Sequence, residues 1–189
     1  MSATVILKRV RIAFPVFFTA TQYEGKGPFT YSCTGLMAPE SEAAKLMDKT
    51  IKDVAKAAWA DDAGKVLKTI TGNNQKICYY PGELKDYDGF AGMMALSCKR
   101  PKEAGHPKVI DQKKNELASE DGKPYGGCYV NLKVDIWAQD NKFGKGIRAT
   151  LVAVQFVADG DAFTATGPSN TEGFNEEESD DNDAGDDLA

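Results

Sequence analysis

Several features of exported and membrane-spanning proteins are missing from this 189-residue sequence. No apolar run reaches the roughly 18 residues that a membrane-spanning helix needs, so we expect no association with a membrane. Residues 1–18 show no signal-peptide pattern, because Lys8, Arg9 and Arg11 interrupt their longest apolar stretch. These absences predict a protein that stays in the cytoplasm of the cell that makes it.

Closely spaced cysteines and histidines are also missing. The four cysteines, Cys33, Cys78, Cys98 and Cys128, stand 45, 20 and 30 residues apart, without the close pairs typical of zinc sites. They are better interpreted as buried free thiols. The sole histidine, His106, has no neighbouring group that would orient it toward a nucleophile. The sequence therefore predicts no catalytic residue, no metal site and no cofactor.

Basic residues are absent after Arg148, and this gives the two ends of the chain opposite charge. Residues 1–148 contain all 23 Lys and Arg and 17 of the 28 acidic residues, which gives them a formal charge of +6. The other 11 acidic residues follow it, and they lower the isoelectric point to about 5.0. The low isoelectric point thus reflects an acidic terminus on a mildly basic body.

Residues 168–189 contain only two bulky apolar side chains, Phe174 and Leu188. A segment so poor in apolar residues cannot offset the entropy lost on ordering, and we expect a disordered acidic tail after a folded domain of residues 1–167. Such a tail could bind basic partners. Its candidate partner-binding residues are Glu176, Glu177, Glu178, Asp180, Asp181, Asp183, Asp186 and Asp187.

Alternating patterns predict strands in most of the body. The strongest covers residues 128–137, with Cys128, Val130, Leu132, Val134 and Ile136 on one face. A hairpin loop over residues 139–146 leads into a last strand at 147–157. The opening strand, residues 5–14, places Arg9 and Arg11 on a basic face. Its predicted apolar face consists of Ile6, Val10, Ile12 and Phe14.

The remaining elements complete a mainly β body with one helix. A turn at residues 24–28 precedes a strand at 29–37, and shorter strands are predicted near 76–80 and 90–98. Ser41 is a plausible N-cap for one long helix that ends at Trp59 and exposes a lysine face. Residues 100–127 read as a long functional loop and a candidate binding edge.

Aromatic residues beside Lys or Arg are the main signal of function. Bases of single-stranded nucleic acid stack on such rings, while the cations neutralise phosphates. Three groups combine both residue types on predicted loops or exposed faces. They are Phe17, Phe18, Tyr23 and Lys26; Tyr129, Lys133 and Trp137; and Lys142, Phe143, Lys145 and Arg148.

The order and spacing of several motifs resemble those of a known family. The motifs are V-R-I-A-F at Val10–Phe14, F-T-Y-S at Phe29–Ser32, the Lys-rich helix, R-P-K at Arg100–Lys102, P-K-V-I-D at Pro107–Asp111, G-G-C-Y-V-N at Gly126–Asn131 and the stretch from Lys145 to Gly160. Together they resemble the phage-encoded single-stranded DNA-binding proteins of the T7 type, which have an OB-fold and an acidic tail. The resemblance covers about residues 5–163.

This resemblance implies a five-stranded Greek-key OB-fold barrel, with one long helix inserted between strands and a disordered acidic tail. It implies coating of single-stranded DNA without sequence preference during phage replication and recombination. It also implies Arg9 and Arg11 as adjoining phosphate contacts and phage or host replication proteins as partners of the tail. The expected location is the cytoplasm of the host cell, and formation of a homodimer is left as an open alternative.

Three alternatives remain at this point. An adaptor or DNA mimic would act through its acidic tail and would not bind bare oligonucleotides. An annealing protein of phage recombination would share the DNA surface and would also pair complementary strands. A thiol or metal enzyme would need chemistry for which the sequence offers little support.

Overall fold

A computed structural model describes residues 2–163. These residues form seven strands and two helices, and short 3-10 turns join some of them. The strands are β1 (Ser2–Tyr23), β2 (Lys26–Met37), β3 (Tyr79–Pro81), β4 (Met94–Pro101), β5 (Lys108–Ile110), β6 (Tyr129–Asn141) and β7 (Gly144–Ala158). The helices are α1 (Glu42–Trp59) and α2 (Ala63–Ile70).

Five of the strands close into a barrel. The sheet has the order β3-β4-β2-β1-β6-β7-β5, and a parallel pairing of β4 with β7 joins it into a ring. That closure is the pairing of Lys99 with Thr150. A meander of β1, β2 and β4 followed by the β6–β7 hairpin is the Greek-key topology of an OB-fold. The predicted fold class is confirmed, and both helices lie between β2 and β3.

Strand β6 follows its predicted alternation. Val130, Leu132, Val134 and Ile136 are fully buried, and the core of the barrel forms around them. The intervening side chains of Tyr129, Lys133 and Trp137 point outward and are exposed. Alternation works here because β6 keeps a regular antiparallel ladder with β7 for most of its length.

Strand β1 departs from its predicted alternation. The pairing with β6 shifts register between Leu7 and Val10, and Arg9 has a positive φ of 54°. The extra residue of this bulge reverses the phase of the strand. Leu7 is therefore buried and Ile6 is 52% exposed, so the prediction that Ile6 lies on the apolar face is wrong.

A second irregularity follows in the same strand. Phe14 has a φ of 52°, and the register with β2 shifts between Ala13 and Val16. Ala13 is buried and Phe14 is 40% exposed, so Phe14 also leaves the predicted apolar face. Phe17 is 2% exposed and belongs to the core, which corrects the prediction that it is available to DNA.

Helix α1 has its predicted start and end. The Ser41 hydroxyl accepts a hydrogen bond from the Ala44 backbone N–H at 3.2 Å, as an N-cap does. The buried face packs on the barrel. The opposite face exposes Lys45, Lys49, Lys52 and Lys56.

Residues 100–127 are better ordered than expected. They contain β5, which pairs in parallel with β7, and the Arg100 guanidinium donates to three backbone carbonyls. The acceptors belong to Ala104, Gly105 and Leu151. The prediction of one long functional loop is therefore wrong for residues 108–110, where a strand covers an edge of β7.

The cysteines are free and buried, which confirms their predicted state. Cys33 and Cys98 face each other across β2 and β4, with their Sγ atoms 3.4 Å apart. Burial raises the pKa of Cys78 to about 12 and also raises that of Cys128. These thiols therefore stay protonated near neutral pH. Within residues 2–163, neither helix is long and apolar enough to cross a bilayer.

Candidate nucleic-acid interface

A groove of about 670 Å³ lies where β4 and β7 close the barrel. The end of the β1–β2 hairpin forms one wall, and residues from β6 and β7 form the opposite wall. The floor comes from β4 and from the segment before it. The lining residues are Tyr23, Thr30, Asn74, Gln75, Cys78, Tyr80, Lys85, Ser97, Lys99, Pro101, Trp137, Arg148, Ala149 and Thr150. We call it the central groove.

Trp137 presents an aromatic surface to the central groove. It points outward from β6, and its side chain remains 36% exposed. Its indole Nε1–H donates a hydrogen bond to Thr150 Oγ1 at 3.1 Å. Thr150 belongs to the strand pairing that closes the barrel, so this bond fixes the orientation of the ring at the closure.

Tyr23 reaches the central groove from the tip of the β1–β2 hairpin. The two residues of the turn, Glu24 and Gly25, have φ angles of 47° and 69°. Positive φ at both central positions is typical of a type I′ turn, which suits the twist of the two strands. The turn pairs Tyr23 with Lys26 and leaves Tyr23 77% exposed. A ring held in this way can stack on a base.

Three cations line the central groove, and its lining contains no carboxylate. They are Lys85, Lys99 and Arg148. The Arg148 Nε–H donates to Gln139 Oε1 at 3.0 Å, which orients the guanidinium. The groove therefore carries a local positive charge that favours an anionic ligand such as a phosphate backbone.

The floor of the central groove is polar but neutral. The Tyr80 hydroxyl and Ser97 Oγ lie 2.8 Å apart and share a hydrogen bond. Burial raises the pKa of Tyr80 above its ordinary value, so this phenol stays protonated in the physiological range. Tyr80 is 3% exposed and therefore supports the groove more than it offers a stacking surface.

The described geometry agrees with the comparisons to known proteins. The family model of the single-stranded DNA-binding protein of Enterobacter phage Enc34 matches residues 3–184. The chain belongs to this family. The prediction of a phage single-stranded DNA-binding protein family is thereby confirmed. The chain is also 39% identical over 173 residues to the protein p50 of Acyrthosiphon pisum secondary endosymbiont phage 1, covering 90% of this chain and 91% of that protein.

Solved structures of phage proteins share the fold of this Enc34-family member. The single-stranded DNA-binding protein of bacteriophage Enc34 in complex with single-stranded DNA has a TM-score of 0.69 and 24% identity, over 85% of this chain and 89% of that one. The gp2.5 single-stranded DNA-binding protein of bacteriophage T7 has a TM-score of 0.52 and 15% identity, over 94% and 99% of the two chains. Both likenesses concern the architecture.

The structure of this Enc34-family chain brings together part of the predicted site. Tyr23, Trp137 and Arg148, which the sequence places in three separate groups, line one groove. Lys26 is exposed beside Tyr23 at the turn. These residues meet because both hairpins approach the closure of the barrel.

The tip of the β6–β7 hairpin carries three more predicted residues. Phe143 is 72% exposed, and Lys142 Nζ lies 5.0 Å from the centre of its ring. Lys145 Nζ lies 5.8 Å from the centre of the Trp59 ring and 3.8 Å from Asp140 Oδ2. These side chains project beyond the central groove and do not line it.

Arg11 has a structural role that the sequence did not reveal. Its Nε–H donates to the Gly127 carbonyl at 3.0 Å, and its Nη2 donates to the Asp161 carbonyl at 2.6 Å. The guanidinium carbon also lies 4.1 Å from the centre of the Phe163 ring. We call this cluster the Arg11 clasp. The clasp engages the Arg11 side chain within the fold, and its predicted phosphate contact stays a prediction.

Three other predicted residues are exposed away from the central groove. Lys133 and Tyr129 share the outward face of β6 with Trp137, but they lie about 13 Å and about 26 Å farther along the strand at its usual rise. Arg9 is exposed at the bulge of β1, and its backbone N–H donates to Asn131 Oδ1 at 3.1 Å. None of the three lines the groove.

Sequence reasoning missed Tyr80, Lys85 and Lys99. Lys99 immediately follows the predicted strand at residues 90–98, so extending that strand would have included it. Lys85 lies in a segment without periodicity. Lys99 reaches the groove through the parallel closure, which no local pattern indicates. The eight acidic residues assigned to the tail, from Glu176 to Asp187, and the boundary after residue 167 lie outside the described residues.

Proposed function

We propose that this protein binds single-stranded DNA in the central groove and coats it, without sequence preference, during phage DNA replication and recombination. The observation that carries the proposal is an open groove with two exposed aromatic rings, three cations and no carboxylate. Membership in the Enc34 family supports it. Stacking and phosphate neutralisation are both tolerant of sequence, because every base has an aromatic face and every nucleotide has a phosphate.

The position of the rings favours a single strand over a duplex. Trp137 and Tyr23 come from opposite walls, and a base can stack on either one only if its faces are free. In a duplex, neighbouring bases already cover those faces. We therefore assign the stacking contacts to Trp137 and Tyr23, and the phosphate contacts to Lys85, Lys99 and Arg148. Lys26, Lys142, Phe143 and Lys145 extend this surface along the two hairpin tips.

The ionic contacts make the affinity sensitive to salt. Neutralising about five phosphates of a single strand should give a slope of about −3.5 in a plot of log affinity against log salt concentration, from about −0.7 for each contact. We assign no catalytic role to the chain. The family, like both solved structures reported above, is described by single-stranded DNA binding.

The acidic residues after Pro168 supply a second part of the proposal. We assign residues 1–167 to the DNA-binding domain and residues 168–189 to a tail that competes with DNA for the groove and recruits basic replication proteins. The nine acidic residues from Glu172 to Asp187, with no basic residue among them, support this division. The host cytoplasm, where phage DNA is copied, is the proposed location.

Truncation before residue 168 tests the tail. The truncated protein should bind oligo-dT more tightly than the full chain, most clearly at low salt, because competition between two polyanions is electrostatic. Equal affinities of the two proteins at low salt would contradict self-competition, although they would leave DNA binding itself untouched.

A fluorescence titration tests the central proposal. The purified chain is titrated at two salt concentrations with oligo-dT of about 30 nucleotides, long enough for at least one OB-fold site, and with a duplex of the same length. Tight, salt-sensitive quenching by the single strand, with weaker binding of the duplex, is the expected result. The signal should come from Trp137, because Trp59 is 7% exposed and its Nε1–H is bound to Asp140.

The variant Trp137→Phe provides the control. It keeps an aromatic ring but leaves Trp59 as the only reporter, so it should still bind DNA in an anisotropy assay while losing most of the quenching. Absence of binding at low salt by a protein that circular dichroism shows to be folded would overturn the proposed function. The acidic-tail adaptor would then be the leading account.

A further inference from the structure

A second cleft, of about 520 Å³, adjoins the central groove. It lies between helix α2 and the β6–β7 hairpin, and we call it the α2–hairpin cleft. Val66 and Ile70 form its apolar floor, and three lysines stand around it. These lysines are Lys65, Lys76 and Lys145.

One turn of the chain separates the cleft from the central groove. Asn74 and Gln75 line the groove, whereas Asn73 and Lys76 line the cleft. The turn is tied to the barrel, because the Ile147 backbone N–H donates to the Lys76 carbonyl at 3.0 Å. Residues 73–76 therefore form a fixed ridge between the central groove and the cleft. A ligand that extends from the groove across this ridge reaches the cleft.

The charges of the cleft are weakly neutralised. Lys65 Nζ lies 3.9 Å from Asp62 Oδ1, a pair whose side chains are 88% and 67% exposed. Lys145 Nζ lies 3.8 Å from Asp140 Oδ2. Exposed ion pairs of this length contribute little and exchange easily with another anion. No acidic side chain of residues 2–163 forms an ion pair with Lys76.

The lining of the cleft differs from that of the central groove in two respects. It includes one carboxylate, that of Asp62, and it contains no aromatic residue, whereas the groove contains Tyr23, Tyr80 and Trp137. A nucleic acid strand in the cleft can therefore meet cations and apolar carbon, but it finds no ring on which a base could stack. Such a surface contributes phosphate contacts and little else.

We propose that the α2–hairpin cleft is a second subsite for the same DNA strand, specific for its phosphate backbone. A strand that fills the central groove continues across residues 73–76, and its phosphates bind Lys65, Lys76 and Lys145. This inference rests on the proposed function and extends it. It predicts a binding site in two parts. The central groove stacks bases, and the cleft contacts phosphates only.

Oligonucleotide length separates the two parts. An oligo-dT of about six nucleotides should occupy the central groove alone, and one of about 20 should reach the cleft as well, given that OB-folds cover about 4 to 16 nucleotides. The test variant is Lys65→Gln with Lys76→Gln, because both lysines line the cleft and neither belongs to the surface assigned to the central groove. The matched control is Lys52→Gln with Lys68→Gln, which removes the same charge from residues that line a different cleft, across α2.

Salt dependence is the readout. For the longer oligonucleotide, the test variant should show a slope of log affinity against log salt that is less steep by about 1.4, from about 0.7 for each lost contact. Its binding of the short oligonucleotide should stay within about twofold of the unmodified protein, and the control should match the unmodified protein for both lengths. Circular dichroism confirms that each variant is folded.

Two results would overturn the subsite. One is an unchanged slope for the longer oligonucleotide in the test variant, and the other is an equal change in test and control variants, which would reflect the overall charge. Failure of the unmodified protein to bind even the short oligonucleotide is a different result, because it would defeat the proposed function of the central groove.

Discussion

Strand β6 exposes two aromatic rings to a similar extent, one at its start and one in its second half, and their surroundings differ. Tyr129, at the start of the strand, is 37% exposed, and Trp137 is 36% exposed. The Tyr129 ring lies against Gly160, where an added Cβ would come within 3.0 Å of it. Trp137 lies in the wall of an open groove. Exposure alone therefore does not identify an aromatic residue that binds DNA, because a base can stack only where there is open space beside the ring.

The arginines near these rings show the same contrast. The Arg11 guanidinium binds two backbone carbonyls and covers Phe163, so it holds the chain after β7 against the barrel. Arg148 has one side-chain partner, Gln139, and faces the central groove. A guanidinium engaged by carbonyls stabilises the fold, whereas one with free donors can meet a phosphate.

The largest expected difference is between Trp137→Ala and Tyr129→Ala. Loss of one stacked base costs about 1 to 3 kcal/mol, so Trp137→Ala should weaken oligo-dT binding by about 5-fold to about 150-fold. Tyr129→Ala should change it by less than about twofold, since Tyr129 lies outside the groove. Fluorescence anisotropy with labelled oligo-dT measures both. Equal losses in the two variants would mean that DNA follows the outward face of β6 instead.

Arg11→Ala should affect stability and leave binding unchanged. Hydrogen bonds from a charged donor contribute roughly 1.5 to 3 kcal/mol each when partly buried. A loss of about 2 kcal/mol would lower the melting temperature by about 4 to 8 °C in a domain of this size. Differential scanning fluorimetry measures the shift. A variant that melts normally but binds DNA poorly would restore Arg11 as a phosphate contact.

Arg148→Gln should weaken DNA binding and leave the stability of the fold nearly unchanged, the reverse of Arg11→Ala, and its effect should be smaller. Removal of one phosphate contact makes the salt slope less steep by about 0.7, while the melting temperature changes little. Titrations at three or more salt concentrations give the slope, and Arg9→Gln serves as a charge-matched control outside the groove. A parallel shift without a change of slope would show that Arg148 acts through Gln139 and not through a phosphate.

Thiol modification should have the smallest effect. Because all four cysteines are buried and burial raises the pKa of Cys78 to about 12, iodoacetamide near pH 8 should leave the folded protein unmodified. Mass spectrometry should show four additions only after denaturation. Rapid labelling of the native protein, with loss of DNA binding, would reveal that the groove floor opens.

The sequence predicted those elements whose patterns are local. The N-cap Ser41, the end of α1 at Trp59 and the buried face of β6 each depend on neighbours within a few positions, and all three are confirmed. The alternation of β1 was misread because a bulge at Arg9 adds one residue and reverses every side chain before it. Nothing in the residue types near Arg9 announces a positive φ.

The site was predicted in pieces for the same reason. Tyr23, Trp137 and Arg148 stand on exposed turns or faces, where composition indicates them. Lys99 becomes part of the groove through the pairing of β4 with β7, which joins residues 51 positions apart in the chain, and Lys85 joins it from a segment without periodicity. The use of Arg11 depends on carbonyls more than a hundred residues away. Such long-range relations leave no periodic signal.

The hydrogen bond from Trp137 to Thr150 makes the fluorescence of Trp137 a reporter of barrel closure. Thr150 lies in the pairing of β4 with β7 that joins the sheet into a ring, so the emission of this indole depends on the integrity of the ring as well as on ligand binding. Trp59 reports instead on the packing of α1. Unfolding followed at the two indoles, one at a time, would therefore distinguish a barrel that unzips at its closure from a helix that detaches first.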